Sequence, residues 1–163
     1  MSITVTPAAD GDAADLANLA AATFPLACPD SVAAEDIAAF IAANLTAERF
    51  GEYLADPDRA VLAARAEGRI VGYALLVRGH DIVELSKIYV LAAHHGTDAA
   101  AALMLSAIDW ASDTGAATIW LGVNQNNARA QRFYLKHGFE ITGTRTFQLG
   151  GNTQADFLMS RPL

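Results

Sequence analysis

At Arg59 the apolar pattern of this chain changes period, and that change dictates the order in which its elements can pack. Ahead of it, Leu16, Leu19, Ala20 and Phe24 recur at helical spacing behind Asp10 or Asp12 as caps. Phe24-Pro25-Leu-Ala-Cys-Pro29, with two prolines, reads as a loop. Ile37, Phe40 and Ile41 form the inner face of a second helix, and Thr46 starts a third through Phe50, Tyr53 and Leu54. Beyond Asp56-Pro-Asp58, Val61–Ala66 and Arg69–Val77 read as a hairpin turning at Glu67-Gly68. Arg78–Asp81 is a turn and Ile82–Leu91 the next strand. A helix from Thr97 to about Ala111, a strand over Ala117–Val123 and a helix over Asn127–Lys136 follow. Strands over Phe139–Gly150 and Thr153–Ser160 close the chain, and residues 2–6 open it as a short strand ended by Pro7. This order predicts an α/β (α+β) domain spanning 1–163, a mixed sheet with helices on both faces rather than a barrel or solenoid.

A length of 163 residues suits one core, and 53% hydrophobic content with five prolines suits a folded chain. The single cysteine, Cys28, excludes an intramolecular disulfide and fits a reducing compartment. No apolar run approaches the ~20 residues that span a bilayer, and the N-terminus carries no signal-peptide pattern. The expectation is a soluble cytoplasmic protein without membrane attachment. A net charge of −7 disfavours nucleic acid as a partner. That charge is unevenly placed. Residues 1–58 hold ten acids against one base, Arg49, whereas residues 59–163 hold eight acids against ten bases. The two parts suit ligands of opposite sign, although acids on an alanine-rich helical region also serve solubility alone.

Chemistry concentrates in Asn127-Ala-Arg-Ala-Gln-Arg-Phe-Tyr134-Leu-Lys-His-Gly138-Phe. An apolar strand, Thr118–Val123, feeds a short basic helix that carries a phenol near its end and stops at Gly138, a residue suited to the left-handed position. Such a unit offers an anion site and a proton donor; an isolated tyrosine there would simply pack. Glu84-Leu-Ser-Lys-Ile-Tyr-Val90 alternates, which places Leu85, Lys87, Tyr89 and Leu91 on one face and Glu84, Ser86, Ile88 and Val90 on the other. A carboxylate in mid-sheet is costly unless it is paired or functional, and an edge position or a partner such as Lys87 would account for it blandly. After this strand, Ala92–Ala100 brings a glycine loop to a helix start, where free N–H groups favour phosphate oxygens.

The spacing Asn-x-x-Ala-x-x-Phe-Tyr with Gly-Phe four residues on resembles the last motif of the GNAT superfamily of acetyl-CoA-dependent N-acetyltransferases. The GNAT pyrophosphate loop falls on His95, Gly96, Thr97, Asp98, Ala99 and Ala100. There Ala100 fits, His95 stands for Gln or Arg, and Asp98 replaces a glycine beside the phosphates. Within the superfamily the chain is similar to the bacterial PaiA-type spermidine/spermine N-acetyltransferases. The similarity runs through Asn44–Phe50, Glu84–Leu91, Trp120–Val123, Thr146–Gly150 and Gln154–Met159. The resemblance implies a mostly antiparallel sheet of about seven strands, acetyl-CoA as cosubstrate without a metal, and direct transfer to an amine. It implies that Tyr134 protonates the departing thiolate and that Glu84 accepts the amine proton, through water. It assigns the cofactor to Ile88, Tyr89, Val90, the loop His95–Ala100, Asn127 and Arg129.

The acidic first third agrees with a small cationic acceptor such as a polyamine. A protein N-terminus, a lysine, an amino acid, an antibiotic amine, or a non-catalytic CoA-binding regulator are the alternatives. The terminal strands would allow a homodimer, as in many relatives. Other residues read structurally: Cys28 has no adjacent base, His94-His95 lacks further metal ligands, His80 and His137 face solvent, and Trp110 and Trp120 fill the core.

Overall fold

The computed structural model describes residues 2–163. In chain order it comprises β1 (Ile3–Pro7), α1 (Ala13–Ala27), α2 (Ala34–Asn44), α3 (Ala47–Ala55), β2 (Arg59–Ala66), β3 (Arg69–Arg78) and β4 (Ile82–Val90). Then come α4 (Ala99–Asp113), β5 (Thr118–Asn124), α5 (Ala128–Lys136), β6 (Glu140–Leu149) and β7 (Asn152–Pro162). The seven strands form one sheet in the order β1-β2-β3-β4-β5-β7-β6, antiparallel throughout except at β4–β5. This is the mixed, mostly antiparallel architecture expected from the element order and the resemblance. Among the described residues no helix is long and apolar enough to cross a membrane.

Local chemistry sets most boundaries. Glu67 (φ 52°) and Gly68 (φ 79°) both take left-handed backbone, the two-residue turn that matches strand twist between β2 and β3. Thr46 caps α3 by accepting the Arg49 N–H at 3.1 Å. α1 differs from expectation: it runs through Pro25 to Ala27. Proline there removes only the bond to the carbonyl of Ala21, an exposed residue that water can serve, so the last turn survives. Pro29 then forces Cys28 into extended backbone, and the helix stops. Nor does Asp12 cap α1 with its side chain. Its carboxylate accepts the Ala9 N–H at 2.8 Å and meets Arg65 at 2.8 Å, and these contacts, the Ala9 bond first, hold it below the usual range despite partial burial.

Two apolar clusters lie on opposite faces of the sheet. On one, Leu103, Met104, Ala107 and Ala111 of α4 pack fully buried on Leu76, Val83, Leu85, Ile119, Leu121 and Met159. On the other, Leu16, Leu19, Ala20 and Phe24 of α1 join Phe50, Tyr53, Tyr73 and Leu75. Phe40 of α2 closes over this side by stacking on Phe24 at 4.6 Å. The tryptophans expected in the core are only half-buried. Trp110 borders the α4 side, and Trp120 turns its ring to the Arg145 guanidinium at 5.8 Å. His80 is exposed, whereas His137 is half-buried with its ring 4.6 Å from Phe133.

The face assignment along β4 needs correction. Leu76 pairs with Leu85 but Leu75 pairs with Lys87, so Ser86 is an extra residue, a β-bulge. The bulge resets the alternation. Leu85, Ile88 and Val90 side with α4, while Lys87 and Tyr89 face the α1 side, where Glu84 also opens. Glu84 is therefore neither at a sheet edge nor ion-paired.

α5 ends as its sequence requires. Gly138 (φ 88°) donates to Leu135 O at 3.1 Å, and Phe139 donates to Tyr134 O at 3.1 Å, a Schellman cap. Replacing Gly138 by alanine should cost about 1–2 kcal/mol in urea unfolding, because an L side chain disfavours that backbone. Gly151→Ala, with open space at its Cβ, should stay within about 0.5 kcal/mol. Equal midpoints for the two variants would contradict the cap.

Candidate active site

β4 and β5 pair over Ile82, Val83 and Glu84 only, against Thr118, Ile119 and Trp120, and then part. Leu91 N–H bonds back to Val71 O, and Tyr89 O lies over Gly72 of β3, so residues 89 and 91 address β3 with their backbone. Successive residues of a strand aim their peptide groups to opposite sides. Ile88 and Val90 therefore aim theirs into the gap. Of the three strand residues expected to hold a cofactor arm, these two have free N–H groups.

Two clefts open at the gap, of about 320 and 590 Å³. Tyr134, Tyr89, Asn127 and Ala130 line both, so the clefts meet at them. α5 brings Tyr134 there. Asn127 caps the helix by accepting the Ala130 N–H at 3.1 Å, which starts it at the gap. At the other end the Gly138 cap folds buried Phe139 back on the Tyr134 ring, centroids 6.0 Å apart. Phe133 packs edge-on at 5.6 Å. The ring is thus held on two sides, while its hydroxyl bonds to no described residue. Burial pushes the Tyr134 phenol up to about 12. Tyr89 is also pushed up, by burial first and then by neighbouring Tyr134, Cys28 and Asp156. Tyr134 therefore stays protonated at neutral pH, a donor without a protein acceptor.

The first cleft runs from Tyr134 past Ile88 and Val90 to His95, Arg129 and Ala100. His95 ties its walls together. An Arg129 nitrogen donates to Nδ1 at 3.1 Å, which leaves the ring proton on Nε2 to donate to Val90 O at 2.9 Å. Beyond it, Gly96 takes left-handed backbone (φ 83°), and the N–H groups of Gly96, Asp98, Ala100 and Ala101 find no acceptor among described residues. Those at the start of α4 add the positive end of a fifteen-residue helix. Thr97 accepts the Ala99 N–H at 3.3 Å, so that donor is already used. Ala99 is buried, and Gly96, Thr97 and Asp98 are exposed and outside the cleft lining. Asp98 makes no capping bond.

The second cleft lies between the end of α1, α2 and the β6–β7 ribbon. Glu84 lines it, as do three charged residues that sequence reasoning did not place in a site: Lys87, Arg145 and Asp156. Asp156 is 4% exposed and receives the Arg145 Nε at 3.1 Å. Arg145 lies against Gly122, where a Cβ would displace it. Cys28, expected in an incidental loop, also lines this cleft, and burial raises its thiol. Alternation hid Lys87, since only the Ser86 bulge brings it to the same face as Glu84. None of the ten acids of residues 1–58 lines the cleft. Among the described residues no cluster of three or more His, Cys, Asp or Glu could hold a metal.

Comparison with known proteins agrees with this geometry. Residues 15–139 match the Acetyltransferase (GNAT) family. The chain is 61% identical over 153 residues to an uncharacterized N-acetyltransferase of Mycobacterium tuberculosis, covering 93% of this chain and 98% of the relative. The fold is similar to the crystal structure of PaiA N-acetyltransferase from Thermoplasma acidophilum in complex with coenzyme A. The TM-score is 0.87 at 21% identity over the whole of both chains. It also resembles the ribosomal-protein-S18-alanine N-acetyltransferase of Escherichia coli, with a TM-score of 0.76 at 19% identity over 99% and 94%.

The Tyr134 environment has a direct spectroscopic consequence. A phenol raised to about 12 binds its proton more tightly folded than unfolded, so its stabilising share is full below about pH 10 and is lost as pH climbs through 12. Tyr134→Phe should leave phenolate absorbance unchanged below about pH 11. Loss of a phenol titrating near 10 in that variant would place the hydroxyl in open water instead.

Proposed function

The chain belongs to the acetyltransferase (GNAT) family, and from that premise we propose that it transfers acetyl from acetyl-CoA to a primary amine across the β4–β5 gap. One observation carries the reading: the partnerless Tyr134 hydroxyl stands where two clefts meet. One cleft suits a cofactor arm, and the other suits an acceptor. Acetyl-CoA supplies an acyl carbon on a thiolate leaving group. The residues present fit it. Ile88 and Val90 offer backbone donors in the gap, and Gly96 with the start of α4 offers N–H groups to phosphate oxygens. The Arg129–His95 pair stands beside them with a positive charge. Asp98 is exposed and outside the lining, so water and salt screen its charge.

An alkylammonium ionises near pH ~10, so the acceptor must lose a proton before it can attack. Glu84, free of any ion pair in the second cleft, receives that proton through water. The Ile88 or Val90 N–H holds the charge that grows on the carbonyl oxygen. Tyr134 gives its proton to the sulfur as the carbon–sulfur bond is exchanged for carbon–nitrogen. Its raised pKa does not spoil this transfer, because the same burial raises a thiolate lodged beside it.

For the acceptor, the fold similarity to PaiA supports a small cationic amine such as a polyamine. The acidic first third can favour it only through long-range attraction, since none of its acids lines the cleft. The lining of the second cleft supports it less, since the charges there are two of each sign: Glu84 and Asp156 against Lys87 and Arg145.

Acetyl-CoA at 100 times its dissociation constant should stabilise the protein by about 2.7 kcal/mol in thermal denaturation. Tyr134→Phe should lower kcat by roughly 10²–10⁴ while leaving that stabilisation intact. Unchanged turnover would remove Tyr134 from the reaction. Glu84→Gln should cost about 100-fold in kcat/KM at neutral pH and recover toward pH ~10, where free amine is plentiful. Stabilisation by acetyl-CoA without thiol release on any amine would leave a binding module, not an enzyme.

A further inference from the structure

The second cleft contains an ammonium group with no ion-pair partner among the described residues. Of its four charged side chains, Arg145 and Asp156 hold each other at 3.1 Å. Lys87 has no carboxylate of a described residue within 4.0 Å and makes no hydrogen bond to one. Its Nζ lies 5.7 Å from the centroid of the Phe40 ring. Nor is the ammonium sealed away: it is absent from the fully enclosed polar atoms, which include Tyr73 Oη and His94 Nδ1, and it opens into the cleft. Burial lowers its pKa, Arg59 and Arg145 push the same way, and Glu84 opposes them. A partly desolvated cation without a partner is costly, and an anionic group on a ligand would complete it.

The geometry points to Lys87 as the residue that selects the acceptor: its ammonium receives a carboxylate carried by the molecule that presents the amine. This rests on the acetyl-transfer reading and narrows it. Lys87 stands two residues, about 7 Å along the strand, from Tyr89 and the meeting point of the clefts. Glu84 opens into the same cleft three residues the other way. An acceptor whose amine and acid lie a few bonds apart, as in an amino acid or its homologues, spans that separation. A polycation fits worse. A second ammonium beside Lys87 would meet a like charge, although Glu84 offsets part of this. The Phe40 ring, stacked on Phe24, lines the cleft and offers an apolar surface to the short carbon stem between the two groups.

The test compares acceptors that differ in one charge. Thiol release is measured with β-alanine and 4-aminobutanoate, with their carboxamides, and with spermidine, on the full chain and on Lys87→Met and Lys87→Arg. We expect kcat/KM for an acid to exceed that for its carboxamide and for spermidine at least tenfold. Lys87→Met should bring the acid-to-amide ratio near one, and Lys87→Arg should retain it. Acetyl-CoA should stabilise both variants as it does the parent, which shows that they fold. A parent enzyme that prefers carboxamides or spermidine, or a ratio that survives in Lys87→Met, would overturn the assignment while leaving acetyl transfer intact. No thiol release with any amine would overturn the transfer reading, and this inference with it.

Discussion

The parting of β4 from β5 is the constraint on which the site depends. A parallel ladder that ran the full length of both strands would bond the peptide groups of Ile88 and Val90 to β5 and leave no room between the helices. It stops after Glu84 instead. Buried peptide groups without partners are costly, so something must occupy the gap or reach into it. His95 meets part of the need by donating to Val90 O, itself held by Arg129 from α5. The rest is open to a ligand. α5 stands at the mouth of the opening because the β5–α5 turn is short and capped by Asn127, and the Gly138 cap fixes where its last turn ends.

Sequence legibility followed the range of the interaction. Glu67-Gly68, Thr46 and Gly138 act within four residues of themselves, and each did what its chemistry implied, whereas the cap that Asn127 forms on α5 was not read from the sequence. Pro25 misled because a proline in a last turn removes a single bond whose acceptor faces water, a condition that depends on exposure rather than on residue type. The Ser86 bulge was invisible for a different reason. An extra residue is defined only against the partner strand, so strict alternation put Lys87 and Tyr89 with Leu85 and set Glu84 apart from them. Reversing that assignment is what gathers Glu84, Lys87 and Tyr89 in one cleft.

Charge was legible as a total and illegible as a field. Several acids of residues 1–58 are spent outside the cleft: Asp12 meets Arg65, Glu52 meets Arg49, Asp56 meets Arg59, and Asp36 lies against Gly150. None reaches the lining of the second cleft. The charges that an acceptor would meet come from the sheet, from β4, β6 and β7, where a few residues balance in sign. Acceptor choice therefore depends on the placement of single side chains such as Lys87, which a segment-wide charge count cannot resolve.

Amide hydrogen exchange along β4 tests the central claim most directly. With acetyl-CoA added, the Ile88 and Val90 amides should become strongly protected, while Tyr89, which already addresses β3, should change little. Protection that appears elsewhere, or no difference between alternate residues of the strand, would mean that the gap is not where the cofactor lies.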